Sequence, residues 1–245
     1  MNTSAPARVL IHGASGRMGR ALLRLAAERG DLVVVAAVSA RGAALAEAGA
    51  VPVLPASRLA EVPAFDVAVD FSLPEAFDPL LALCRERGAA LVSGTTGLSG
   101  GQYSALDAAA ARIAVLWAPN FSLGVAVLTE LVRQAAAALP GWDADIVEAH
   151  HIHKKDAPSG TALHLGAAVE AGRGRAPHYA SLRTGDIVGE HTVQLAGPGE
   201  RLELVHRATN RDIFARGALE AALRMAGRGP GRVGLGALLL GGSAR

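Results

Sequence analysis

Residues 148–163, EAHHIHKKDAPSGTAL, bring three histidines and two lysines into one short run. His150, His151, His153, Lys154 and Lys155 supply proton donors and positive charge. Pro158, Ser159, Gly160 and Thr161 read as a turn feeding a helix, with a hydroxyl at the cap and free backbone N–H groups behind it. Such a helix start binds anions, because its unpaired N–H groups and the positive end of its dipole point the same way. An anion cradle beside proton donors fits a small, negatively charged substrate that must be protonated. Of 24 basic residues, only Lys154 and Lys155 are lysines. Arginine cannot give up a proton near neutral pH, whereas lysine can be tuned to do so. A metal site is the other reading of His-His-X-His. Successive side chains on an extended strand point to opposite faces, so at most His151 and His153 would converge, and no metal is expected.

The rest of the chain has to position this run and whatever reacts with it. Residues 8–12 (RVLIH) read as a buried strand, then come Gly13-Ala14-Ser15-Gly16-Arg17-Met18-Gly19 and a helical segment to Arg29. Strand, glycine turn and helix in that order form the setting a dinucleotide fingerprint requires. Gly13 permits the tight turn, Gly16 lets a pyrophosphate approach the backbone, and Gly19 allows helix and sheet to pack closely. An all-apolar second strand at 33–38 is expected to be buried on both faces. A helical piece at 43–48 follows, then a strand at 65–71 and a helix entered through Pro74. Further strands at 91–93 and 113–117 stop at Gly94-Thr95-Thr96 and Ala118-Pro119-Asn120-Phe121. Strands alternating with helices predict a Rossmann-like doubly wound parallel sheet, whose ligands bind at the carboxyl ends of the strands.

From residue 123 the pattern changes. A helix over 125–139 and a strand over 145–148 lead into the histidine run, and a helix from Thr161 ends near Gly172. Strands at 181–184, 189–196 and 201–206 suggest a more open sheet. The expected organisation is a dinucleotide-binding domain of residues 1–122 plus 211–245 and an α+β substrate and oligomerisation domain of residues 123–210. The helix over 214–225 returns the chain to the first domain.

At 245 residues and net charge +2, the chain shows no nucleic-acid-binding stripe and no polybasic membrane anchor. Cys84 is the single cysteine, so no intrachain disulfide forms. The first residues lack an apolar signal core, and apolar runs such as Leu238-Leu239-Leu240 are too short to span a bilayer. A soluble cytoplasmic protein is expected.

The run 148–163 closely resembles the signature of the 4-hydroxy-tetrahydrodipicolinate reductase (dihydrodipicolinate reductase) family of lysine and diaminopimelate biosynthesis, and the resemblance extends along nearly the whole chain. It implies reduction of a small cyclic dicarboxylate with NADPH or NADH. His150 would be the acid/base and Lys154 the proton donor, while His151 contacts substrate and Ser159, Gly160 and Thr161 hold a carboxylate. Gly13–Met18 would cradle the cofactor, with Gly94, Thr95, Thr96, Ala118, Pro119, Asn120 and Phe121 on its nicotinamide side. A homotetramer built through the second-domain sheets is also implied. Two departures stand out. The segment between Gly172 and Ser181 is short and lacks an Arg-Glu-Gly loop. The second strand ends Val38-Ser39-Ala40-Arg41, with no carboxylate for the ribose hydroxyls. Serine serves ribose or phosphate and Arg41 suits a 2′-phosphate, so NADPH is expected over NADH. The rival readings are an amine or amino-acid dehydrogenase of the same fold and a non-catalytic NAD(P)-binding sensor.

Overall fold

The computed structural model describes residues 5–241. The chain divides into two compact units, one of residues up to Phe121 joined by those from Phe214, the other Ser122–Ile213. The first unit opens with β1 (Ala7–His12), α1 (Arg17–Ala26), β2 (Leu32–Ser39) and β3 (Val53–Pro55). It continues with β4 (Val67–Asp70), α2 (Pro74–Arg87), β5 (Ala90–Ser93), α3 (Gly100–Ala109) and β6 (Ala114–Trp117). The second contains α4 (Leu123–Ala138), β7 (Asp143–His150), α5 (Gly160–Arg173), β8 (His178–Arg183), β9 (Gly189–Gly197) and β10 (Glu200–Ala208). The chain then runs through α6 (Asp212–Met225), β11 (Gly231–Arg232) and α7 (Leu235–Leu240).

The first unit is a doubly wound sheet in the order β11-β6-β5-β4-β1-β2-β3, parallel throughout. Strands β4 and β5 are buried along their whole length, as their continuous apolar runs require when both faces are covered. Leu10, Val38, Ala68, Leu91 and Val115 of the sheet pack with Phe77, Leu80 and Cys84 of α2 and Leu106 of α3. Removing a side chain of this size from water stabilises the fold by about 2 kcal/mol. Pro74 opens α2 and Gly88, at φ 64°, closes it in the left-handed conformation.

Two local expectations give way here, and one helix was not foreseen. Residues 43–48 form only a short 3-10 turn at Ala46–Ala48, which Gly49 ends at φ 53°. The start of β2 is not buried on both faces: Val33 is 44% exposed, because β3 pairs only with residues 37–39 and leaves it at an edge. Helix α3 was not anticipated, although Ser99 and Gln102 close a capping box around its first turn.

The second unit is a four-stranded mixed sheet, β10-β9-β7-β8, antiparallel except for the β7–β8 pair. Leu128, Val132 and Ala136 of α4 and Leu165 and Val169 of α5 cover one face through Ile146, Val193 and Leu195. Strand β7 runs two residues further at each end than the expected 145–148, so His150 lies within the sheet, not in a loop. Helix α5 ends at Gly174, φ 74°, and residues 174–177 join it directly to β8. The short segment thus still delivers a full strand. Among the described residues, no helix is long and apolar enough to cross a membrane.

Candidate active site

In the second unit the site is built around Glu148. With period two along β7, Glu148 and His150 point to the same face. Glu148 is 0% exposed and its carboxylate accepts from four donors. Arg183 reaches it with Nη1 at 3.0 Å and Nη2 at 2.7 Å, and the Ser159 backbone N–H with 3.3 Å. The fourth donor is the His150 Nδ1–H. Burial alone would raise the Glu148 pKa. Arg183, then Ser181 and His150, outweigh it and bring the group to about 2. A buried carboxylate of this kind persists only because every lone pair is answered.

Pairing with Glu148 fixes His150 as the Nδ1–H tautomer and leaves Nε2 for other work. Burial lowers the His150 pKa against the opposing pull of Glu148, and the charges of Lys154 and Arg183 push it the same way as burial. At neutral pH the ring is therefore a neutral base. A Cβ built on Gly189 would lie 3.0 Å from Nε2, so glycine at 189 keeps that nitrogen uncrowded. Lys154 follows in the turn after β7, its ammonium 2.8 Å from Asp156.

The helix start lies on the same scaffold. Ser159 caps α5 by accepting the Ala162 N–H at 3.2 Å, and its hydroxyl shares a 3.1 Å hydrogen bond with Nε2 of buried His191. Gly160 is the first residue of α5 and is exposed, with Thr161 half-buried behind it. His151 accepts from Arg211 Nη2 at Nε2, 3.2 Å away, which places its proton on Nδ1. The His151 and His153 ring centroids lie 6.2 Å apart. No cluster of three metal-ligating side chains occurs among the described residues. One unit thus collects His150, His151, Lys154, Ser159, Gly160 and Thr161.

In the first unit the expected residues split into two layers at the strand ends. Ser15, Gly16, Arg17, Thr96 and Pro119 are exposed, with Met18, Gly94 and Asn120 half-buried. Gly13 turns at φ 79°, and a Cβ there would strike the Phe71 carbonyl oxygen at 2.5 Å. Gly16 caps α1 without a side-chain partner, and the first turn of α1 holds Arg17 and no acid. Ala14, Thr95, Ala118 and Phe121 lie beneath this surface, at 0%, 1%, 7% and 2% exposure. The Ala14 N–H goes to Val38 O, and Phe121 packs edge-on against Phe71. Thr95 is engaged within the unit at N, O and Oγ1. Ser39 is buried and its hydroxyl accepts the Gly42 N–H, while Arg41 is exposed and makes no ion pair among the described residues.

The chain matches known proteins across both units. Residues 7–121 match the model of the dihydrodipicolinate reductase N-terminus and residues 124–239 that of its C-terminus. The chain belongs to the dihydrodipicolinate reductase family. A 4-hydroxy-tetrahydrodipicolinate reductase of Stenotrophomonas maltophilia is 70% identical over 227 residues, covering 92% of this chain and 95% of that protein. One from Xanthomonas axonopodis pv. citri is 65% identical over 231 residues, covering 94% and 96%. The solved structure of dipicolinate-bound dihydrodipicolinate reductase from Paenisporosarcina sp. TG-14 superposes with TM-score 0.81 at 23% identity, over 96% of this chain and 99% of that one. It confirms the expected α/β fold with a second mixed-sheet unit.

Glu148, Arg183 and His191 were not singled out from the sequence. For Glu148 the signal was available, since it stands two residues before His150 on a strand. For the others it was not: Arg183 reaches the site through its parallel pairing opposite His150, and His191 through its antiparallel pairing opposite Glu148.

Proposed function

We propose that the chain reduces 4-hydroxy-tetrahydrodipicolinate to tetrahydrodipicolinate in the diaminopimelate and lysine pathway, taking a hydride from NAD(P)H and one proton and releasing the 4-hydroxyl as water. The first unit fits a dinucleotide, since an uncapped helix start with Arg17 and no carboxylate receives a pyrophosphate without competition. Ser15–Met18, Thr96, Pro119 and Asn120 offer the contact surface, and the buried Ala14, Thr95, Ala118 and Phe121 shape it. A bound nicotinamide supplies the hydride. In the second unit Gly160 and Thr161 hold a substrate carboxylate at the start of α5, and His151 steadies the ring of the substrate. Lys154 gives up a proton to the nitrogen left electron-rich by reduction. His150, locked by Glu148, moves a proton at Nε2 as acid/base. Arg41, beside a strand end without an acid, favours NADPH over NADH. Reaction in the cytoplasm accords with a biosynthetic role.

A homotetramer belongs to the same reading. The face of the second sheet not covered by α4 and α5 carries Val147, Thr192 and Val205 in one register row, with Val205 40% and Leu182 53% exposed. Copies of the chain would assemble across it.

The Glu148–His150 pair carries this proposal most directly. His150→Gln should lower kcat by about 10²-fold or more while NADPH binds as in the wild type. Turnover within a few-fold of the wild type would remove His150 from the chemistry.

A further inference from the structure

A buried polar cluster joins three strand ends of the first unit. Asp70, the last residue of β4, is 0% exposed. Its Oδ1 accepts from His12 Nδ1 at 2.8 Å and from the Ser72 N–H at 3.2 Å. Its Oδ2 accepts from the hydroxyls of Ser93 and Thr95, both at 2.8 Å. His12 ends β1 and immediately precedes Gly13; Ser93 ends β5 and Thr95 stands in the turn after it. One carboxylate therefore bonds to three neighbouring loops at the edge where ligands of doubly wound sheets bind. Burial pushes the Asp70 pKa up, and His12, Ser72 and Thr95 reverse this, so the group stays ionised.

Stability alone does not account for the cluster. Apolar side chains of similar volume hold strand ends together at least as well as a buried charge and its partners. What the charge adds is direction, because each donor must sit at a fixed angle to one of two oxygens. The backbone around it leaves no room for side chains: a Cβ at Gly13 would strike the Phe71 carbonyl, and one at Gly94 the Phe71 ring.

We infer that Asp70, with His12, Ser93 and Thr95, is a positioning group for the cofactor, fixing the glycine loop and the turns after β4 and β5 as one preformed cradle. This rests on the reading of the first unit as the nicotinamide-dinucleotide site. None of the four side chains needs to touch the cofactor; they hold the backbone that does. Preorganisation appears in affinity, because a cradle ordered beforehand does not have to be ordered on binding.

Calorimetric titration with NADPH, and separately with dipicolinate, distinguishes this role from simple support of the fold. Thr95→Val keeps the shape and loses the hydroxyl; it should weaken NADPH binding about tenfold, whereas Thr95→Ser should bind within about twofold of the wild type. Dipicolinate affinity should be unchanged in both. His12→Asn should weaken NADPH as well, and the double variant should lose less than the two losses multiplied, since both act through Asp70. If Thr95→Val does not fold, Ser93→Ala removes the other hydroxyl on the same oxygen and carries the same expectation. Unchanged NADPH affinity in a folded variant overturns the inference, as does parallel loss of dipicolinate binding. A wild type that binds neither cofactor overturns it together with the reading beneath it. Binding is measured without turnover, so a failure of the proposed reaction alone leaves the result intact.

Discussion

Arg41 and Glu148 show what single residues settle. Arg41 is an exposed cation at the end of β2 without an ion-pair partner among the described residues, where a carboxylate would favour ribose hydroxyls. Arg41→Ala should raise the KM for NADPH about tenfold, as for loss of one charge-assisted hydrogen bond, and leave the KM for NADH nearly unchanged. Steady-state kinetics with both cofactors decide it: equal losses would show that other residues read the 2′ position. Glu148 marks the limit of sequence reading at this scale. The histidines and lysines beside it announce chemistry by their type. Its spacing from His150 places a glutamate on the same strand face, but that it stays ionised there depends on Arg183, 35 residues away, arriving on a parallel strand.

At the scale of elements, the start of α5 is the critical feature. Ser159, at φ −66° and ψ 154°, already has the conformation a residue preceding proline adopts, and nothing lies within 4 Å of a Cβ built on Gly160. Proline is also well tolerated at the first position of a helix. Gly160→Pro should therefore fold normally while losing one N–H of the proposed carboxylate cradle, and its dipicolinate affinity should fall. An unchanged affinity would place the carboxylate elsewhere. The sheet beside this helix should be sensitive to acid. His191 is lowered from 6.5 to about 4, by burial first and the His150 charge second. Its neutral form is favoured on folding, so its contribution is complete above 6.5 and is lost as pH falls towards 4. Glu148, lowered from 4.5 to about 2, extends the loss below 4.5. Urea midpoints should hold above about pH 7 and decline steadily below, with the His191 share bounded by about 3 kcal/mol. A midpoint flat from pH 7 to 4 would contradict this. Periodicity and turn residues revealed most of these elements, from the glycine turn after β1 to the three strands after α5. They failed for α3, whose signal is a cap rather than an apolar stripe, and at 43–48, where Gly49 at φ 53° ends the segment after one short turn.

Across the whole molecule, the proposed function assigns different work to two units of different architecture, the cofactor to the strand ends of one and the acid–base step to the buried Glu148–His150 pair of the other. The change of pattern near residue 123 was legible because a parallel sheet and an open mixed sheet leave different sequence rhythms. The proposed assembly face is less so, because alternating half-polar strands look alike whether they meet solvent or another copy. Val205→Asp, on the edge strand β10 of this face, should dissociate the proposed tetramer in sedimentation or light-scattering measurements; a wild type that is monomeric would remove this surface from the account. The reaction itself is tested most directly by following NADPH oxidation with substrate freshly generated from aspartate semialdehyde and pyruvate, beside a panel of amino and oxo acids. The account predicts rapid oxidation with the generated substrate, inhibition by dipicolinate and no oxidation with the panel. Oxidation with a member of the panel, or none with the generated substrate, would contradict it.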